Sequence, residues 1–170
     1  MKKRSTILLV IAILCFTFIA VASGSSPDDP KKEGGEGGDK NYSLNETAVF
    51  ENIKVTAEEI IINKGSEYMK PEEGKKFVAV KFTIENISDE EQQMSSMLLF
   101  DAYADDVKLG YSIGADYGLE GTLDGSISPG KKMIGYYGVE VANDATVLDL
   151  EVKASWLGSG KAVFVLDIPK

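Results

Sequence analysis

Between Gly74 and Ser88 the side chains Val78, Val80, Phe82 and Ile84 recur at every second position, and Lys81, Thr83 and Glu85 fill the positions between. A period of two puts the apolar set on one face of an extended strand. A strand with one greasy face must bury it against another layer, so the chain has to supply further strands of the same kind. It does so repeatedly. Val49 to Ile62 alternates Ile53, Val55 and Ala57 with Lys54, Thr56 and Glu58, then slips phase at Glu58-Glu59 before Ile60-Ile61-Ile62. A slip inside an apolar strand predicts a bulge or a change of sheet.

Met94 to Tyr103 reads as another strand, with Leu98, Phe100 and Ala102 on one side and Met97, Leu99 and Tyr103 on the other. Apolar on both faces, it is a candidate for the centre of the sandwich. A short polar strand is expected over Val107 to Ile113. From Gly114 to Ser128 no period survives, and Gly114, Gly118, Gly121 and Gly125 interrupt the chain. Long irregular connections often carry function, so this segment is the first place to look for a site.

Ser128-Pro129-Gly130-Lys131 fits a type II turn. It launches a strand over Lys132 to Ala142, with Met133, Tyr137, Val139 and Val141 alternating with Ile134, Tyr136 and Glu140. Val147 to Leu157 sends Leu148, Leu150, Val152, Ala154 and Trp156 inward. Gly158-Ser159-Gly160 is expected to turn the chain into a last strand, Ala162 to Ile168. No window has helical periodicity. The predicted fold is all-β: an antiparallel immunoglobulin-like sandwich of about seven strands over residues 47–170.

The amino terminus carries a different signal. Lys2, Lys3 and Arg4 precede an apolar run from Ile7 to Ala22, and Ala20-Val21-Ala22 leads into Ser23. That order predicts a secretory signal peptide over residues 1–22, cleaved between Ala22 and Ser23 with Ala20 completing the small-residue motif. A retained anchor is the rival reading, because the run falls only slightly short of the about 20 residues that span a bilayer. Cys15 follows Leu14, where a lipidated cysteine wants a small residue, so it reads as an ordinary apolar member of the leader. Residues 23–46, rich in Gly, Asp, Glu and Lys, cannot bury enough apolar area to offset chain entropy and are expected to be a disordered tether.

Loss of the leader leaves no cysteine, histidine or arginine, and it takes the net charge from -9 to -12. Disulfides, thiolate nucleophiles, Cys/His zinc sites and histidine acid–base chemistry then fall away by inventory. Nucleic acid is repelled by such a surface, and a membrane contact is expected only through the amino-terminal segment if it is uncleaved.

The strand and turn residues Gly74-Lys75-Lys76-Phe77-Val78-Ala79-Val80, Leu99-Phe100-Asp101-Ala102, Ser128-Pro129-Gly130-Lys131-Lys132 and Gly135-Tyr136-Tyr137-Gly138-Val139 resemble a family of exported microbial domains of unknown function. The resemblance covers about Thr47 to Lys170. It implies an immunoglobulin-like fold related to immunoprotective extracellular proteins. Such domains are sometimes called telomeric repeat-binding factor-like, a name this acidic chain does not support. Family members are commonly lipid-anchored, and here no well-placed cysteine follows them. The family supplies no catalytic residues.

Three functional classes remain. The leading expectation is a non-catalytic extracellular or cell-envelope binding module for a protein or an envelope glycan, with no cofactor, in which Tyr111, Tyr117 and Tyr136 supply contact area. The second is an envelope spacer without a specific ligand. The third is a small hydrolase working through carboxylates held about 5 to 10 Å apart, for which no pair is nominated. Calcium is a secondary expectation: Asp105, Asp106, Asp116 and Asp124, with Asp101 and Glu120 nearby in sequence, could converge around the glycine-rich loop. Asn41, Asn45 and Asn86 each begin an Asn-x-Ser/Thr triplet that a glycosylating host would read.

Overall fold

The alternation that opens the sequence builds β4 (Lys75–Asn86) in a computed structural model that describes residues 40–154 and 160–170. Val78, Val80, Phe82 and Ile84 are all fully buried. β4 lies between β3 (Ile53–Asn63) and β9 (Lys132–Ala142), antiparallel to both, and β2 (Thr47–Val49) completes a four-stranded sheet in the order β2-β3-β4-β9. The expected phase slip is a bulge between Ala57 and Glu59 in the β3–β4 ladder.

Facing it is a five-stranded sheet in the order β1-β11-β10-β6-β7. Its members are β1 (Asn41–Tyr42), β6 (Phe100–Ala104), β7 (Val107–Leu109), β10 (Val147–Lys153) and β11 (Lys161–Asp167). A small third sheet pairs β5 (Gln92–Met94) with β8 (Gly125–Ile127). The two large layers lock through aromatic rings. Phe82 meets Phe100 and Phe164 edge-on at centroid distances of 5.1 and 5.5 Å, and Phe100 stacks on Tyr137 at 5.1 Å. Such pairs add about 1 kcal/mol each beyond the area they bury.

The fold is therefore the expected antiparallel sandwich, with short strands added at its edges. Four local expectations differ. Asn41 and Tyr42 pair in parallel with Val163 and Phe164, so part of the segment read as tether is strand. Met94 to Tyr103 is not one strand: α1 (Ser96–Leu99) interrupts it and turns Met97 and Leu98 to solvent, at 76% and 62% exposure. Consequently β10, not this segment, holds the middle of the five-stranded sheet. The polar strand stops at Leu109, and a second single-turn helix, α2 (Ile113–Asp116), follows. Both helices have four residues, too few to show a helical period in the sequence.

The turn at Ser128–Lys131 is as expected. Lys131 N–H donates to the Ser128 carbonyl at 3.0 Å and Gly130 has φ +69°, the left-handed geometry that a type II turn places on glycine. Trp156, the hairpin residues Gly158 and Ser159, the leader with its cleavage residues Ala20, Ala22 and Ser23, and Cys15 lie outside the described residues.

Candidate functional site

β9 is an outer strand of its sheet, and its free edge would expose unpaired backbone groups. The connection from Gly110 to Asp124 covers it. Tyr111 bridges to Val139, Ser112 N–H donates to the Gly138 carbonyl at 2.8 Å, and Thr122 N–H donates to the Ile134 carbonyl at 3.0 Å. The approach is close because β9 carries glycine where the connection crosses. A Cβ on Gly135 would sit 2.5 Å from the backbone of Thr122, and one on Gly138 would sit 2.8 Å from Ala115.

Three polar side chains tie the connection down. The Asn63 amide donates to the carbonyls of Ala115 and Tyr117 at 2.9 and 3.0 Å, and its oxygen accepts the Gly65 N–H. Asp124 accepts both the N–H and the hydroxyl of Ser96, which is buried. The Tyr111 hydroxyl donates to Asp116. Burial first, and then this bond, push the Tyr111 phenol well above its usual range. Tyr137, against which the Tyr111 ring packs at 5.5 Å, is pushed up to about 12 by burial.

Two concavities result. A narrow one of about 70 Å³ lies beneath the connection, between Tyr111, Asp116, Leu123 and Asp124. An open trough of about 540 Å³ runs along the outer face of β9, floored by Lys81, Ile134 and Tyr136 and walled by Gly118 to Gly121. Ile134 is 45% exposed there, and the Tyr136 hydroxyl donates to Glu59 across two strands at 3.0 Å. Burial, then that carboxylate, raises the Tyr136 phenol.

The predicted residues thus separate. Tyr136 floors the trough. Tyr117 stands beside its wall, half exposed. Tyr111 is turned inward and bonded to Asp116, so it is not the exposed contact residue expected from its place in a loop. Asp116 and Asp124 do come together at the narrow cavity, whereas Asp105 and Asp106 sit at the tip of the β6–β7 hairpin with φ of 50° and 64°, as a two-residue primed turn requires. Asp101 is held by Lys108 and Lys153, each at 2.6 Å. Among the described residues no three acidic groups gather to hold a metal ion, so the convergence expected for calcium does not form.

Asn63 and Asn86 are polar residues whose long-range bonds are not legible in the sequence. Asn86 is wholly buried: its amide donates to the carbonyls of Glu90 and Ile127, and its oxygen accepts the Ser88 N–H and hydroxyl. An amide nitrogen so placed has no room for a glycan, which removes Asn86 from the candidate acceptors. Tyr68, 92% exposed on the β3–β4 loop, was also passed over, although it interrupts a polar stretch.

An antiparallel β-sandwich with a loop laid over one sheet edge and a shallow trough beside it is the class these features define. The family model described as a domain of unknown function, DUF4352, matches residues 42–163, and the chain belongs to that family. No curated protein matches it. Among solved structures, the yjhA protein of Bacillus subtilis superposes with a TM-score of 0.62 at 16% identity, covering 74% of this chain and 99% of that one. A β-sandwich protein of Clostridium difficile gives 0.52 at 21%, covering 81% and 99%. A candidate lipoprotein of Bacillus subtilis, ycdA, gives 0.62 at 18%, covering 74% of this chain; the chain spans 39% of that protein's length. Likeness at these identities shows the fold.

Proposed function

We propose that the chain is an exported, non-catalytic binding module of the cell envelope, and that an envelope glycan lies in the trough along β9. The observation that carries this reading is the makeup of the trough. One aromatic ring and one aliphatic side chain share its floor with a lysine, and Gly118, Leu119, Glu120 and Gly121 form its wall. Such a surface suits a polymer that offers alternating apolar faces and hydroxyl groups. Most carboxylates near it have partners: Glu59 holds Tyr136, Glu58 holds Thr83 and faces Lys81, Asp116 holds Tyr111, and Asp124 holds Ser96. Glu120, on the wall, makes no side-chain hydrogen bond or ion pair among the described residues. A lone unengaged carboxylate favours binding over a hydrolase, which needs a pair of carboxyl groups held across the bond to be cleaved. The leader-like amino terminus, and the description of the ycdA relative as a candidate lipoprotein, support export and an envelope location.

Retention on isolated cell-wall glycan, wild type against a Tyr117→Ala/Tyr136→Ala double variant, tests the proposal. The expected result is retention of the wild type and loss by the variant. Equal retention, or none for either protein, would leave the spacer reading in its place.

A further inference from the structure

We infer that the free half of β3 is a dimerisation edge, where a second copy of this chain pairs antiparallel about a two-fold axis at Ile61. The four-stranded sheet has two edges, and they are treated differently. The connection from Gly110 to Asp124 lies over β9. On the other side β2 pairs with β3 only at Lys54, Val55 and Thr56, and Asn45 N–H takes the Ala57 carbonyl just beyond. From Glu59 to Asn63, among the described residues, no strand pairs with β3 on that side.

The bulge decides which groups are on offer. In β9 the carbonyls of Ile134 and Gly138 point away from β4, toward Thr122 and Ser112. Antiparallel ladders alternate, so Gly135, Tyr137 and Val139 bond to Phe82, Val80 and Val78, which leaves Lys81, Ala79 and Phe77 to bond to Glu59, Ile61 and Asn63 of β3. Ile60 and Ile62 must then turn their N–H and C=O groups outward. Before the bulge the outward set has the other parity: the carbonyls of Ile53 and Ala57 go to Phe50 and Asn45.

The exposed segment is complementary to itself. With Ile61 opposite Ile61, Ile60 of one copy exchanges two hydrogen bonds with Ile62 of the other, and the symmetric pair adds two more. Glu59 falls opposite Asn63, and Lys64 of each copy comes beside the Glu58–Glu59 pair of its mate. A register centred one residue away sets Glu58 against Ile62, or Lys64 against Ile60, and forfeits both the apolar match and the charge match. Neither proline nor lysine, the usual guards of an open edge, occurs between Glu59 and Asn63. Ile62 remains 38% exposed, so a second copy would also cover apolar surface.

Natively exported chain carrying Cys15→Ser has no thiol, so single cysteines can be read cleanly. Ile61 opposite Ile61 is a non-hydrogen-bonded pair, close enough for a disulfide. Ile61→Cys should therefore cross-link under mild oxidation at least about tenfold faster than Asp144→Cys, at the exposed turn between β9 and β10. By sedimentation velocity the wild type should be dimeric at high concentration. Ile62→Pro, which removes an outward N–H and none of the bonds to β4, and Lys64→Glu, which leaves the backbone untouched, should each weaken the dimer at least about tenfold. A wild type that stays monomeric, equal cross-linking at the two positions, or an unchanged dimer in Lys64→Glu would overturn the assignment. Occupation of the edge by this chain's own residues 1–39 would appear as a monomer with slow Ile61→Cys cross-linking, and that too would overturn it.

Discussion

Gly138 lies directly beneath Ala115: a Cβ built on the glycine would come within 2.8 Å of the alanine methyl, 2.8 Å of the Ser112 carbonyl oxygen and 2.9 Å of the Asp116 nitrogen. Ala115 is itself fully buried, so this contact is where α2 rests on β9. Backbone on one side and a packed methyl on the other leave no flexible group to give way. Gly138→Val should therefore lift α2 from the sheet, at a cost of about 2 kcal/mol in urea unfolding. Faster amide exchange should appear over residues 111–122 while the β3–β4 ladder stays protected. A valine variant with wild-type stability and exchange would show that this contact does not hold the connection in place.

Asn86 sits at the end of β4 and binds four partners while fully buried. Asn86→Ala strands the buried Ile127 carbonyl and takes a partner from the Glu90 carbonyl and the Ser88 N–H, which lie nearer to solvent. An orphaned buried group costs on the order of 1 kcal/mol or more, so the total should be about 2 kcal/mol in chemical denaturation. Asn86→Asp keeps the acceptor but sets a buried, unpaired carboxylate against the Ile127 and Glu90 carbonyls, so at neutral pH it should cost at least as much as alanine. A loss under about 1 kcal/mol for alanine would count against this network as the anchor of the turn.

How much of this could be read from the chain follows from the reach of each signal. The alternation through Val78, Val80, Phe82 and Ile84 is local, so β4 and its buried face were legible, as were β9 and the turn at Pro129-Gly130. The bulge was legible too, because a phase slip is itself a local pattern. The long-range bonds of Asn86 and Asn63 gave no sign, since they go to backbone carbonyls up to 54 residues away and any turn asparagine looks the same. Tyr111 was misread for a related reason. Its neighbours Gly110 and Ser112 are polar-loop residues, whereas what buries it is Tyr137, a strand residue brought across by the fold. α1 escaped notice because one turn of helix with Met97 and Leu98 exposed defies the burial expected from hydropathy.

Asp101, on the outer face of β6, receives Lys108 and Lys153 at 2.6 Å each and is only 19% exposed. The Lys108 hydrogen bond first, and then that of Lys153, hold its carboxyl below the ordinary carboxylate range. A depressed folded value means stability that is present above the unfolded value and lost as pH falls through the folded one. Asp101→Asn should cost about 1 kcal/mol at neutral pH and low salt, a figure already reduced for the solvent around the two lysines. The gap to wild type should narrow below about pH 4 and shrink in 1 M salt. A gap that is the same at pH 3 and pH 7 would mean the side chain acts through packing and not through charge.

Asp149, two residues before Glu151 on β10 and across from Tyr103, should behave in the opposite sense. Its Oδ1 is buried without a hydrogen-bond partner. Burial first, and then the negative charges of Asp106 and Glu151, raise its carboxyl above the ordinary range. For an acid with a raised folded value, the unfolded chain gives up its proton first as pH climbs, so the ionised group penalises folding at neutral pH. As pH falls through the folded value the native state takes up the proton and the penalty disappears; below the unfolded value, near 4, none remains. Asp149→Asn removes the charge at nearly constant shape and should stabilise the chain at pH 7 by on the order of 1 kcal/mol. Thermal unfolding of both proteins from pH 3 to pH 8 provides the check: the curves should coincide at the acid end and separate with the variant on top. A variant less stable than wild type at pH 7 would show instead that the Asp149 carboxylate has a partner among groups such as Lys108 on the same sheet face.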